Sequence, residues 1–349
     1  MSNKAKSTIS LLIAAIIWGS AFVAQRTGMD SIGPFYFCAF RSIIGSLALA
    51  AVFLISDRKA SLHKERTDEE KRAERKNLIS GGLVCGVIIF FAMNMQQVGL
   101  VSVDAGKAGF ITALYIVLVP IMSIFLKQKT NLFTWIGVVL GVIGLYLLCI
   151  TSDFSIEPGD LIILIGAFFW AFHILSISHF APKVNVMKLT AAQFLVAGII
   201  SFAVAFFRET VSFQAVTGAG VAILYTAIFS TAIAFSFQAL GQKSANPTAT
   251  SIIMSTEALW AVVFGFLILG ETLTAKELVG CGFMLAAVII SQLPAPGKKP
   301  DLPEGNDVIA GKSNGTAEDR DDIPGESNGI AVEKGDIAEE NGDAAGEKR

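Results

Sequence analysis

Arg41 and Glu257 are the two charged residues that stand well inside long apolar stretches of this chain. A charge at the centre of a bilayer-spanning helix costs about 2.5–3.5 kcal/mol on insertion scales, so each one needs a reason. Arginine stays charged and offers a planar fork that can hold a carboxylate through two parallel hydrogen bonds. Arg41 is therefore a candidate anchor for an anionic group, or else a structural arginine that bonds helix ends or reaches outward along its stem. A carboxylate such as Glu257 can exchange a proton, attract an ammonium group, or serve only to bond a neighbouring helix. The two could also pair with each other.

Other residues suit the wall of a small-molecule site. They are Trp18, Asn94, Gln96, Thr112, Tyr115, Trp170, His173, Gln193, Gln238 and Trp260. Trp170 and His173 share a helical face one turn apart, and Trp260 follows Glu257 by three residues. Aromatic walls with a few convergent polar groups hold small ligands. Taken singly, each aromatic is served as well by helix or lipid packing. His173 is either a hydrogen-bonded structural group or a proton relay. Catalytic chemistry has no foothold: the phosphate-binding Gly-Lys-Ser/Thr loop, His-Glu-x-x-His, Cys-x-x-Cys and Gly-x-Ser-x-Gly are all missing from the sequence. No cofactor or metal site is expected, and neither enzymatic activity nor ATP-driven pumping by this chain alone.

The elements that carry these residues follow from composition. Hydrophobic residues make up 53% and charged residues 16%, where soluble domains hold about 25% charged. A membrane helix needs about 20 mostly apolar residues. That length fits ten stretches, near 8–24, 34–55, 78–98, 104–126, 131–150, 160–180, 188–207, 217–237, 247–269 and 274–293. The first is not read as a signal peptide, since nine more spans follow it. The fold expected is all-α and integral to the membrane. Pro120 is a hinge candidate, because proline frees a backbone carbonyl, while Pro247 suits a helix start. Gly82/Gly86 and Gly137/Gly141 are small-residue pairs, expected to pack one half of the chain internally.

Charge orients the spans. With residues 1–7 in the cytoplasm, the inner segments carry 17 Lys/Arg and the outer segments four, namely Arg26, Lys107, Arg208 and Lys276. Both termini are then cytoplasmic, in a multi-pass protein of the plasma membrane. The inner loop 57–77 reads as a solvated, helical extension of its neighbours. Residues 1–294 hold 20 Lys/Arg and 15 Asp/Glu, a net of +5, and residues 295–349 hold 7 and 14, a net of −7. So small an excess excludes a basic nucleic-acid binder. Cys38, Cys85, Cys149 and Cys281 each lie in an apolar run without paired spacing, which excludes a disulfide-stapled fold. The stretch 295–349 is expected to be a disordered acidic cytoplasmic tail, with Gly311–Gly315 recurring as Gly325–Gly329.

The spans repeat. Leu11–Trp18 (LLIAAIIW) and Ile163–Trp170 (ILIGAFFW) are offset by 152, and the same offset places Arg41–Gly45 on Gln193–Ala197. Further on, Gln96, Gly99 and Ser102 meet Gln238, Gly241 and Ser244 at an offset of 142. The difference of ten is taken up by the charged loop, which the first half alone possesses. Residues 8–150 and 160–293 thus read as two five-helix repeats. Five is odd, so the second repeat enters the membrane upside down, the arrangement of many alternating-access transporters.

At the level of motifs the two halves resemble paired EamA domains of the drug/metabolite transporter superfamily. The resemblance rests on Ile17–Phe22 (IWGSAF), Phe40-Arg41, Leu118-Val119-Pro120, Trp135-Ile136-Gly137 with Gly141 and Gly144, Phe169-Trp170-Ala171, Ser255–Ala258 (STEA) and Leu269–Thr274 (LGETLT). It covers residues 8–293. Two departures stand out: Ala258 replaces the proline that commonly follows the helix-nine glutamate, and Lys127-Gln128-Lys129 stands where a Gly-Glu ending would follow helix four. The resemblance implies transport of a small metabolite, such as an amino acid, often by export and with possible proton or ion coupling. The rival expectation is a non-transporting membrane sensor that acts through the acidic tail.

Overall fold

The computed structural model describes residues 3–60, 67–103, 105–127, 131–149, 157–264, 266–267 and 274–293. The expected tail lies outside them, as do 61–66 of the charged loop and most of the LGETLT motif. The described residues are helical, and no strand occurs among them.

The chain opens with α1 (Asn3–Met29), α2 (Pro34–Ala60) and α3 (Asp68–Gly99), followed by the short α4 (Ala105–Ala113) and α5 (Tyr115–Phe125), then α6 (Leu132–Cys149). The second part holds α7 (Pro158–Phe180) and α8 (Val186–Arg208). Next come α9 (Phe213–Gly218), α10 (Gly220–Tyr225), a wider π-helical stretch Thr226–Ala234, and α11 (Phe235–Gln242). The last are α12 (Pro247–Met254), α13 (Glu257–Phe264) and α14 (Ala275–Ser291). Among the described residues eight helical segments are long and apolar enough to cross a membrane, where ten were expected. The remaining two, α6 and α14, have 18 and 17 residues, at the short end of what a bilayer needs.

Helix starts follow local chemistry. Thr67 and Glu70 form a capping box that begins α3 within the charged loop, so the helical extension expected there exists on both sides of 61–66. The start of α2 is capped from a distance. The Glu209 carboxylate, just past α8, accepts from the backbone N–H groups of Phe35 and Tyr36, both at 2.9 Å. Those amides have no partner inside their own helix.

Two expected spans are broken. The stretch 104–126 divides at Leu114, where the backbone bonds tighten to three-residue spacing (Leu114 to Ile111, Val117 to Leu114). Pro120 lies inside the intact α5, six residues past that break. The stretch 247–269 divides at Ser255-Thr256. There the hydroxyls of Ser255 and Thr256 bond back to the carbonyls of Ile252 and Ile253, at 2.8 and 2.6 Å. Such back-bonding competes with the helical ladder.

Water gives no drive for helices to associate in lipid, so small residues and close packing take over. The glycine pairs do this: Gly82, Gly86 and Gly137 pack between the two parts of the chain, while Gly141 meets Ile116 within its own part, as expected. A Cβ on Gly86 of α3 would lie 2.6 Å from Val196 Cβ of α8. A Cβ on Gly144 of α6 would lie 2.9 Å from the Met284 backbone nitrogen of α14. Large apolar side chains such as Phe206, Phe207, Val221 and Leu267 are exposed, as a lipid-facing surface requires. Gly144→Leu should lower stability by about 1–3 kcal/mol, seen as a lower unfolding midpoint in detergent. Gly282→Ala in α14, where a Cβ meets nothing within 4 Å, should leave the midpoint unchanged.

Candidate functional site

One cleft gathers the charged residues. It is partly open and is lined by twelve residues. Four long helices and several short segments contribute side chains, while α6, α8 and α14 contribute none. Trp18, Phe22 and Gln25 come from α1 at spacings of four and three, one stripe of a helix. Arg41 comes from α2, Gln96 from α3, Thr112 from α4, Tyr115 from α5 and Trp170 from α7. Ser230 lies in the π-helical stretch, Phe235 starts α11, Met254 ends α12 and Glu257 starts α13.

The breaks in α4/α5 and α12/α13 place two of the polar side chains in this arrangement. Tyr115 is the first residue after one break and Glu257 the first after the other. The Tyr115 hydroxyl donates to Glu257 Oε1 at 3.0 Å. Glu257 also opens α13, where the Ala258 and Trp260 amides bond back to the Ser255 and Thr256 carbonyls.

Arg41 is 4% exposed. One terminal nitrogen donates to Gln25 Oε1 at 2.8 Å, while Nε has no partner. No ion pair joins Arg41 to Glu257, so the pairing that the sequence left open is not made. The Thr112 hydroxyl is also buried without a partner. Buried polar atoms are nearly always hydrogen-bonded, so unserved ones in a cleft mark places for a ligand or water.

The walls are aromatic. Trp18 meets Phe235 edge-on with ring centroids 4.7 Å apart, and Trp170 stacks on Phe235 at 6.1 Å. The indole nitrogens are fixed: Trp18 donates to the Ser230 carbonyl at 3.3 Å, and Trp170 donates to Gln96 Oε1 at 3.1 Å.

Seven of the twelve candidates thus meet at one cleft: Trp18, Arg41, Gln96, Thr112, Tyr115, Trp170 and Glu257. Five do not line it. Asn94 donates to the Ser201 hydroxyl and to the Phe90 carbonyl, both at 2.8 Å. His173 bonds Gln193 at 2.9 Å behind Phe235. Gln238 is buried in α11. Trp260 packs its Cβ against Gly19. The sequence reading missed Phe22, Gln25, Ser230, Phe235 and Met254. Gln25 carried a signal, a polar residue seven positions past Trp18 on the same face. Ser230 carried none, since it serves the site through its backbone carbonyl.

The profile of the EamA-like transporter family matches this chain twice, over residues 5–150 and 157–292. The chain belongs to the EamA-like transporter family. It is a multi-pass membrane transporter, and its substrate is a small molecule. An uncharacterized transporter of Archaeoglobus fulgidus is 32% identical over 291 residues, covering 82% of this chain and 85% of the relative. The uncharacterized transporter YoaV of Bacillus subtilis is 26% identical over 215 residues, 59% of this chain and 68% of YoaV. The uncharacterized inner membrane transporter YedA of Escherichia coli is 25% identical over 198 residues, 55% of this chain and 59% of YedA. A crystal structure of a protein at 17% identity superposes with a TM-score of 0.67, over 82% of this chain and 96% of the other, which supports the fold alone.

The hydrogen bond between the two helix starts can be measured in this EamA-like transporter. A double-mutant cycle of Tyr115→Phe and Glu257→Gln, read by unfolding in mild detergent, should return a coupling of about 0.6–1.7 kcal/mol, the range for hydrogen bonds between membrane helices. A coupling near zero would mean that the bond is not formed.

Proposed function

We propose that the protein is a secondary transporter for a small amphipathic metabolite that carries both a carboxylate and an ammonium group, as an amino acid does. The observation that carries this reading is the state of the two buried charges. Arg41 and Glu257 border one cleft, and each is held by a neutral neighbour instead of by the other. A dipolar head group can satisfy both at once, its carboxylate on the Arg41 fork and its ammonium at Glu257. Trp18, Trp170, Phe22 and Phe235 then face the apolar remainder.

The mechanism is alternating access between two inverted five-helix repeats, with α6 and α14 also spanning to make ten. The internal offsets support it. Trp18 and Trp170, 152 residues apart, both border the cleft. Tyr115 and Glu257, 142 residues apart, bond to each other. Equivalent positions meeting at one cleft is what a pseudo-two-fold axis through a midplane site produces. The Lys/Arg asymmetry supports cytoplasmic termini, and the family resemblance favours export. Glu257 is the proton-coupling candidate.

Counterflow into liposomes tests the reading. Arg41→Ala should weaken transport of amino acids about ten- to hundredfold, equal to one lost charge-assisted hydrogen bond of about 1.5–3 kcal/mol. Their amides, which lack the carboxylate, should be affected much less. Equal loss for both would make Arg41 a structural residue, and no saturable flux for any amino acid would defeat the substrate class. Glu257→Gln should remove the pH dependence of flux; a profile unchanged from the parent would take Glu257 out of the coupling.

A further inference from the structure

We propose that His173, Gln193 and Gln238 form a second, inner subsite, closed in this structure, which receives the same ammonium–carboxylate head group after Phe235 swings aside. The inference rests on the substrate reading above and adds a place for the head group beyond the cleft. These three side chains are fully buried or within 1% of it. His173 Nε2 and Gln193 Oε1 bond at 2.9 Å. That leaves His173 Nδ1, Gln193 Nε2 and Gln238 Nε2 with no partner from the protein. Three unserved polar atoms at membrane depth are costly, because hydrocarbon offers them nothing. A transport cycle that brings a ligand or water to them removes the cost in its other state.

The internal repeat independently singles out two of the three, Gln193 and Gln238. The offset of 152 carries Arg41 onto Gln193, and the offset of 142 carries Gln96 onto Gln238. Two polar positions that border the open cleft therefore have counterparts among these buried, unserved side chains. Inverted halves that exchange conformations would close one set as they open the other.

Phe235 is the partition. Its ring borders the cleft, where it meets Trp18 and Trp170, and it also meets His173 at 5.9 Å and Phe194 at 4.7 Å. It follows directly on the π-helical stretch that ends at Ala234. A π-helical stretch holds surplus turn that can relax to α-helix, and such stretches gather at functional sites. That relaxation would rotate Phe235 about the helix axis.

The subsite has a defined chemistry. With its Nε2 proton donated to Gln193 Oε1, the His173 ring presents Nδ1 as an acceptor, which suits an ammonium. The amide nitrogens of Gln193 and Gln238 donate, which suits a carboxylate. A glutamine stands where the first half has its arginine. The inner subsite thus holds the head group with neutral hydrogen bonds and releases it more readily than the Arg41 cleft does.

Cysteine accessibility tests this without any substrate. Gln193→Cys and, separately, Thr112→Cys are placed in the full chain with Cys38, Cys85, Cys149 and Cys281 replaced by serine. Each is treated with a charged, impermeant methanethiosulfonate in right-side-out and in everted vesicles. Gln193→Cys should react from the face opposite to the one that labels Thr112→Cys. Adding Phe235→Ala should raise its rate about tenfold, the equivalent of 1.4 kcal/mol of aromatic contact. With Phe235 in place, reaction of both cysteines from the same face overturns the proposal. So does a Gln193→Cys that stays unlabelled with and without Phe235→Ala while Thr112→Cys reacts, since that reaction shows a folded cleft. If accessibility behaves as stated and no amino acid is transported, the subsite stands and the substrate class fails.

Discussion

A carboxylate buried in a membrane protein must be served by its surroundings, and the arrangement around Glu257 is organised by that requirement. Hydrocarbon supplies no hydrogen bonds. Glu257 obtains one from Tyr115, which reaches it across the cleft from another interrupted helix. It stands at the first residue of α13, where the Ala258 and Trp260 amides bond back to the Ser255 and Thr256 carbonyls at 3.3 and 3.0 Å. The Tyr115 bond joins the first residues after two backbone breaks. The hydroxyl run Ser251, Ser255 and Thr256 makes the interruption tolerable, because each hydroxyl bonds a carbonyl three residues back.

This dependence explains which parts of the site could be read from sequence. Arg41 and Glu257 stand out because a charge in an apolar run has no inexpensive structural excuse. Trp18 and Trp170 stand out because they align with each other. Asn94, His173, Gln193, Gln238 and Trp260 looked equally good, and none of them borders the cleft. The reason is periodicity. A membrane helix is apolar on all sides, so the contrast that reveals the inner face of a soluble helix is missing. Phe235 is one of 26 phenylalanines, and only its neighbours make it special. Its chain position carries no mark that a one-dimensional reading can use.

Length was a better guide to the fold than to its details. The 20-residue measure found every helix-rich stretch, yet it read 104–126 and 247–269 as continuous. It is blind to a break that replaces a few four-residue bonds by three-residue bonds without adding polar residues. At Leu114 the sequence offers no glycine, and the nearby Pro120 stays within its helix. The break there is held by tertiary contact, through the Tyr115 side chain and the core around Ile116 and Val119. At Ser255-Thr256 the local sequence does carry the cause, and hydroxyl spacing is the clue that apolar length overlooks.

The glycine contacts bear on how such a structure can move. The α3/α8 and α6/α14 interfaces bring Gly86 against Val196 and Gly144 against the Met284 backbone, with no room for a Cβ. Sliding one of these helices past its partner would lift a contact that nothing in lipid replaces, because the attraction there is close packing and not exclusion of water. The breaks at Leu114 and Ser255-Thr256 and the π-helical stretch before Phe235 are different. Their backbone bonds already depart from the four-residue ladder, so bending at them sacrifices few bonds. All three border the cleft. Stiffness and compliance are therefore distributed in space, with the tight helix pairs forming the frame and the interrupted helices lying against the buried charges.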